Sequence, residues 1–144
     1  MQSLPGAGRG VPKLSVSDAL LAVLVASVSV DGTIGVEETA RMEAIISTSR
    51  ALRVVGETRA GSAVLQAINL LNDHGAADVL HACGEALPTE LRAPAFALAA
   101  DLVLADGQVG EREKAFIDAL QTALGLDDAT ALKVVEVMLI RNRA

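Results

Sequence analysis

The chain of 144 residues sets 12 Lys and Arg against 18 Asp and Glu, a formal charge of −6, and is 51% hydrophobic with two Phe and no Trp or Tyr. That length and apolar fraction suit one domain with a buried core and exclude a disordered chain. The acidic balance and missing rings exclude a basic or aromatic nucleic-acid surface and a sugar-stacking platform, and a lone cysteine, Cys83, excludes an internal disulfide or a thiolate cluster.

Residues 1–14, rich in Gly and Pro, read as a flexible tail, and residues 15–144 as the folded domain. The tail carries Arg9 and Lys13, and setting residues 1–17 aside leaves 10 basic against 18 acidic side chains, or −8. Arg9 and Lys13 ahead of the apolar run from Ala19 to Val30 have the outline of a signal peptide. Asp18 directly abuts that run, and the run ends in Asp31-Gly32 rather than a cleavage site, so a helix of the domain is the better reading. The run is also far short of the ~20 apolar residues that span a membrane.

Apolar spacing and end signals predict seven helical segments. The first covers about residues 17–30, capped by Ser17 or Ser15 and stopped by Gly32, and the second about 36–50. Residues 51–60 are irregular, with a turn expected at Gly56. The third segment covers about 62–72 and ends at Gly75; the fourth covers about 76–86. Pro88 opens the fifth, which runs to Ala105; Pro94 belongs in a first turn, which moves the expected start toward Arg92. The sixth spans about 111–124 and stops at Gly125, and the seventh, capped by Asp127 or Asp128, ends near Arg141. No stretch alternates with period two, so the expected fold is all-α, a single-domain bundle of about seven helices.

Two segments repeat at an offset of 75 residues: V-S-V-D-G-T-I-G-V-E-E from Val28 and V-L-A-D-G-Q-V-G-E-R-E from Val103. Each joins an apolar helix to an amphipathic one, with Met42 matching Ile117 and Ile45 matching Leu120, so the chain holds two helix–loop–helix units of one design. The shared D-G-x-[IV]-G-x-x-E matches the second half of an EF-hand loop, where Asp, Gly, the aliphatic residue and Glu stand at positions 5, 6, 8 and 12. Glycine reverses the chain, the aliphatic residue anchors the loop in the core, and Glu swings its carboxylate back toward Asp. Two hard oxygen donors converging in this way suit Ca²⁺ or Mg²⁺. The first half is missing, because positions 1 and 3 would be Ser27 and Ser29 in one unit and Leu102 and Leu104 in the other. Neither loop is a complete EF-hand.

The same residues have a simpler structural role. Asp31 and Asp106 can accept turn amides, and Glu38 and Glu113 can cap helix N-termini behind Gly35 and Gly110. If the two loops meet, their four carboxylates repel one another without a cation, and Glu37, Asp101 and Glu111 add to that field.

The ordered set resembles the TerB-like family, bacterial all-α domains that include the tellurite-resistance protein TerB. The strongest match runs from L-P-T-E-L-R (Leu87 to Arg92) through A-D-G-Q-V-G-E-R-E (Ala105 to Glu113) to A-L-G-L (Ala123 to Leu126). The first half matches through Asp31, Gly32, Ile34 and Glu38, so the resemblance covers about residues 17–142. It implies a seven-helix bundle with the Asp-Gly loops related by approximate two-fold symmetry. It also implies a divalent-metal role for Asp31, Glu38, Asp106 and Glu113, with Ca²⁺ or Mg²⁺ as the cation. The function implied is a cytoplasmic, non-enzymatic module that acts through protein partners, such as a membrane-associated stress complex, in bacterial stress or tellurite resistance. It inserts into no membrane and binds no nucleic acid. Val30 stands where the family usually has Ala, and residues 51–86 match no family motif. Two other readings stand beside it: a metal-dependent hydrolase using the same carboxylates, and a structural domain that forms homo-oligomers. A hydrolase needs a base near the metal, and neither loop has a neighbouring His in the sequence. His74, His81 and Cys83 form at most a weak zinc pattern, and Cys83 has the spacing of a small core residue.

Overall fold

A computed structural model of the chain describes residues 10–30, 44, 57–105, 107 and 109–143. Six helices lie among them: α1 Val16–Val28, α2 Glu57–His74, α3 Ala76–Ala86, α4 Thr89–Val103, α5 Glu111–Leu124 and α6 Asp128–Arg141, with no strand among the described residues. The expected second helix, over 36–50, lies outside them except for Ala44, which is helical.

The apolar run that begins at Ala19 is the central helix. Every residue of α1 from Ala19 to Val28 is buried, as a helix apolar on all faces must be, and it packs against α2, α3 and α4. The Ser15 hydroxyl caps it by accepting from the Asp18 amide at 3.1 Å, and an N-cap of this kind is worth about 1 kcal/mol. Val11 and Leu14, ahead of the helix, are half-buried against the same core.

Helix α2 begins five residues earlier than its apolar spacing suggested, because the backbone carries the polar stretch from Glu57 and Gly61 within the helix. It ends at Gly75, whose φ of +85° needs the freedom of glycine. Helix α4 also departs from expectation. Pro94 is not in the first turn but is the sixth residue of a helix that starts at Thr89. Both Pro94 and Glu90 are exposed, so the Glu90 carbonyl that loses its helical donor meets water. Replacing Pro94 with Ala restores that donor and should stabilise the fold by about 1–3 kcal/mol, given the ~3 kcal/mol helix penalty of proline; a thermal melt that fails to rise would show that the ring supports a needed bend.

The L-P-T-E-L-R and A-L-G-L stretches meet in space. The Arg92 Nε donates to the Leu87 carbonyl at 3.1 Å, and an Arg92 guanidinium nitrogen lies 3.7 Å from where a Cβ on Gly125 would stand. Gly125 ends α5 at φ +67°, with its own amide bonded to the Thr122 carbonyl and the Leu126 amide to the Gln121 carbonyl, both at 3.1 Å. That pair of bonds is a Schellman motif. Leu87 and Leu124 are buried on either side of this joint.

The Asp127 carboxylate caps α6, accepting from the Thr130 amide at 3.1 Å and its hydroxyl at 2.7 Å. The Thr130 hydroxyl and amide hold the Asp127 carboxyl below its usual range. This cap is therefore complete above the ordinary aspartate pKa of about 4 and fades as pH falls through the lowered folded value.

Helix α6 packs on α4 as α2 packs on α1. Helix α2 thus corresponds to α6, and α3 is the element inserted between the two repeats.

Candidate metal centre

Of the four carboxylates expected at the metal, Asp31, Glu38 and Asp106 lie outside the described residues, and Glu113 lies within them. Around Glu113 the second Asp-Gly loop takes shape. The Gly107 amide closes a turn onto the Leu104 carbonyl at 2.9 Å, and its φ of +77° is the left-handed reversal expected of that glycine. Gly110 then caps α5, and its amide donates to the Glu113 Oε1 at 2.8 Å. The backward swing of Glu113 is therefore present, and it performs the helix-capping role. A carboxylate has two oxygens and about four acceptor directions, so one amide leaves capacity for a cation. A Cβ on Gly110 would meet the Glu113 Oε1, so a larger residue here would push the capping carboxylate aside.

The aliphatic residue of the loop does not anchor it. Val109 is 42% exposed, and the anchoring is done by the residues ahead of the loop, where Leu102 and Leu104 are buried in the core. These leucines occupy EF-hand positions 1 and 3, so the residues that remove the first half of that ligand set are the ones that hold the loop. In the first unit the Ser27 hydroxyl donates to the Val23 carbonyl at 2.7 Å and the Ser29 hydroxyl to the Ala26 carbonyl at 3.0 Å. Both serines are turned onto their own helix. A full EF-hand does not fit either loop; hard oxygen donors from Asp and Glu remain the chemistry on offer.

Asp101 does not join an unpaired negative field. Its Oδ1 accepts from an Arg141 guanidinium nitrogen at 2.9 Å and from the Asn142 Nδ2 at 3.1 Å, while the same Asn142 nitrogen donates to the Met138 carbonyl at 2.9 Å. The Asn142 carbonyl oxygen in turn would lie 3.5 Å from a Cβ on Gly107. The end of α6 is thereby fastened to the end of α4 beside the loop. Nothing local in the sequence signals this contact, because the partners stand 40 and 41 residues apart.

The His and Cys residues do not assemble. Cys83 is fully buried and His81 is exposed, with its Nε2 4.0 Å from a Glu85 carboxylate oxygen. Burial pushes the Cys83 thiol up to about 12, so it stays protonated and unreactive at neutral pH. Among the described residues no group of three or more His, Cys, Asp or Glu side chains is arranged to hold a metal.

The described residues define an all-helical module, with an Asp-Gly loop between α4 and α5 that the sequence repeats after α1. A model of the family "Tellurite resistance protein TerB" matches residues 17–135. The chain belongs to the TerB family. Neither a curated protein nor a solved structure matches it.

Proposed function

We propose that the chain is a non-enzymatic TerB module of the bacterial cytoplasm. It binds a divalent cation, Ca²⁺ or Mg²⁺, through Asp31, Glu38, Asp106 and Glu113, and acts through protein partners in stress or tellurite resistance. The observation that carries this reading is the second Asp-Gly loop. There a left-handed Gly107 is followed by a Glu113 carboxylate folded back over the first turn of α5, in a pattern the sequence repeats around Asp31. Family membership supports the biological setting. Among the described residues no helix is long and apolar enough to cross a membrane, which accords with a module that meets any membrane complex through another protein.

In mechanism, Asp31, Glu38, Asp106 and Glu113 would hold the cation, whose charge would offset the repulsion among the carboxylates of the two units and let the loops close on one another. The Asn142 carbonyl beside Gly107 and the Asp101–Arg141 pair connect the second loop to α6. Loop closure is then felt at the surface that α6 presents.

The test separates the cap from the cation site. Glu113→Gln keeps an oxygen for the Gly110 amide and removes the charge. Wild-type protein should gain about 1–3 kcal/mol in millimolar Ca²⁺ or Mg²⁺, seen as a melting point several degrees higher. Glu113→Gln should melt like wild type in chelator and lose most of that rise. A wild-type melt indifferent to both cations would refute the reading.

A further inference from the structure

Of the 14 residues of α6, only Ala131 is fully buried. Val134, Val135, Met138 and Leu139 turn toward the core, yet Leu132, Val137 and Ile140 stay 60%, 56% and 65% exposed. Ala129, Lys133 and Glu136 are exposed with them. At roughly 100° per residue, Ala129 and Ile140 fall within about 10° of the midline of this outer face. Lys133 lies about 30° to one side with Val137 beyond it, and Glu136 about 30° to the other with Leu132 beyond it. The face carries apolar side chains on its midline and at both margins, with one positive charge between them on one side and one negative charge on the other.

We propose that this face is a homotypic interface, on which a second copy of the chain docks α6 against α6 in parallel about a two-fold axis running along the helices. The charges select both the partner and the orientation. A parallel two-fold exchanges left and right, so Lys133 of each copy faces Glu136 of the other, twice over. Ile140 then meets its own counterpart on the midline, and Leu132 faces Val137. An antiparallel pairing keeps left against left and sets lysine against lysine and glutamate against glutamate, which repels. Asp101 holds the end of α6 through Arg141 and Asn142, so the face is presented already ordered and little freedom is lost on docking.

A helix of this length is about 21 Å long and covers less than the ~800 Å² per partner of a standard stable interface. The dimer is therefore weak and reversible, with a dissociation constant on the order of 100 µM. Sedimentation equilibrium from about 10 µM to about 1 mM, in chelator so that the result does not depend on the cation reading, tests it. Wild type should pass from monomer to dimer across that range. Lys133→Glu and Glu136→Lys should each weaken association about ten-fold, and the double charge reversal should restore it. Ile140→Asp should remain monomeric with an undiminished melting point, since the side chain is exposed. A wild type monomeric at every concentration would overturn the proposal, as would a dimer indifferent to Ile140→Asp or a double reversal no tighter than the single ones.

Discussion

Replacing Gly84 with alanine should destabilise the protein by about 2 kcal/mol or more, although alanine is the better helix former by about 1 kcal/mol. Gly84 is buried within α3, and a Cβ there would overlap the carbonyl carbon and oxygen of Ala123 in the last turn of α5. The obstacle is main chain held by helical bonds, so no side-chain rotation relieves it. The two helices must separate, or α3 must shift along α1. With backbone as the obstacle, overpacking reaches or passes the upper end of its usual ~1–3 kcal/mol, which outweighs the propensity gain by about 2 kcal/mol and lowers the melting point by roughly 6 °C. Ala123→Gly should give no rescue in the double variant, because the carbonyl stays where it is. A Gly84→Ala protein that melts at or above the wild-type temperature would show that α3 and α5 do not pack backbone to side chain-free backbone.

Truncating Phe96 to alanine should cost more, about 3–5 kcal/mol. Phe96 is 0% exposed and heads the fully buried side chains by volume. It stands on α4, which packs against α1, α5 and α6. The core it belongs to is built mainly of leucine, valine and alanine on helices packed from several sides, so the void closes only in part. Against a typical total of about 5–15 kcal/mol the loss is a third or more, and the melting point should fall by roughly 10–15 °C. Phe96→Leu keeps most of the volume and should lose less than about 1.5 kcal/mol. Equal melting of the two variants would mean that the cavity relaxes, contrary to this packing.

The helices were legible because their signals are local. Gly75, Gly107 and Gly125 each reverse the chain with positive φ, and Ser15 and Asp127 cap as their positions suggested. Errors arose where a distant neighbour or the solvent decides. Pro94 has the residue type of a helix start, but its exposed position lets α4 run through it. Val109 stands where a complete EF-hand has its core anchor, and in this loop Leu102 and Leu104 do that work. Asp101 has no partner nearby in the sequence, and the fold brings Arg141 and Asn142 to it from the far end of the next two helices. Glu113 could be read as a cap or as a ligand from spacing alone, and its bond to the Gly110 amide establishes the cap.

Helix α1 belongs to the first unit, yet it is enclosed by α2 of its own unit, by the inserted α3 and by α4 of the second unit. The repeat in the sequence therefore does not correspond to two separable pieces. A chain cut between the units would leave α1 with a bare apolar flank and α4 with another. Unfolding should follow as one cooperative transition, in which neither unit survives the loss of the other. A duplicated design has in this way become a single indivisible thermodynamic body.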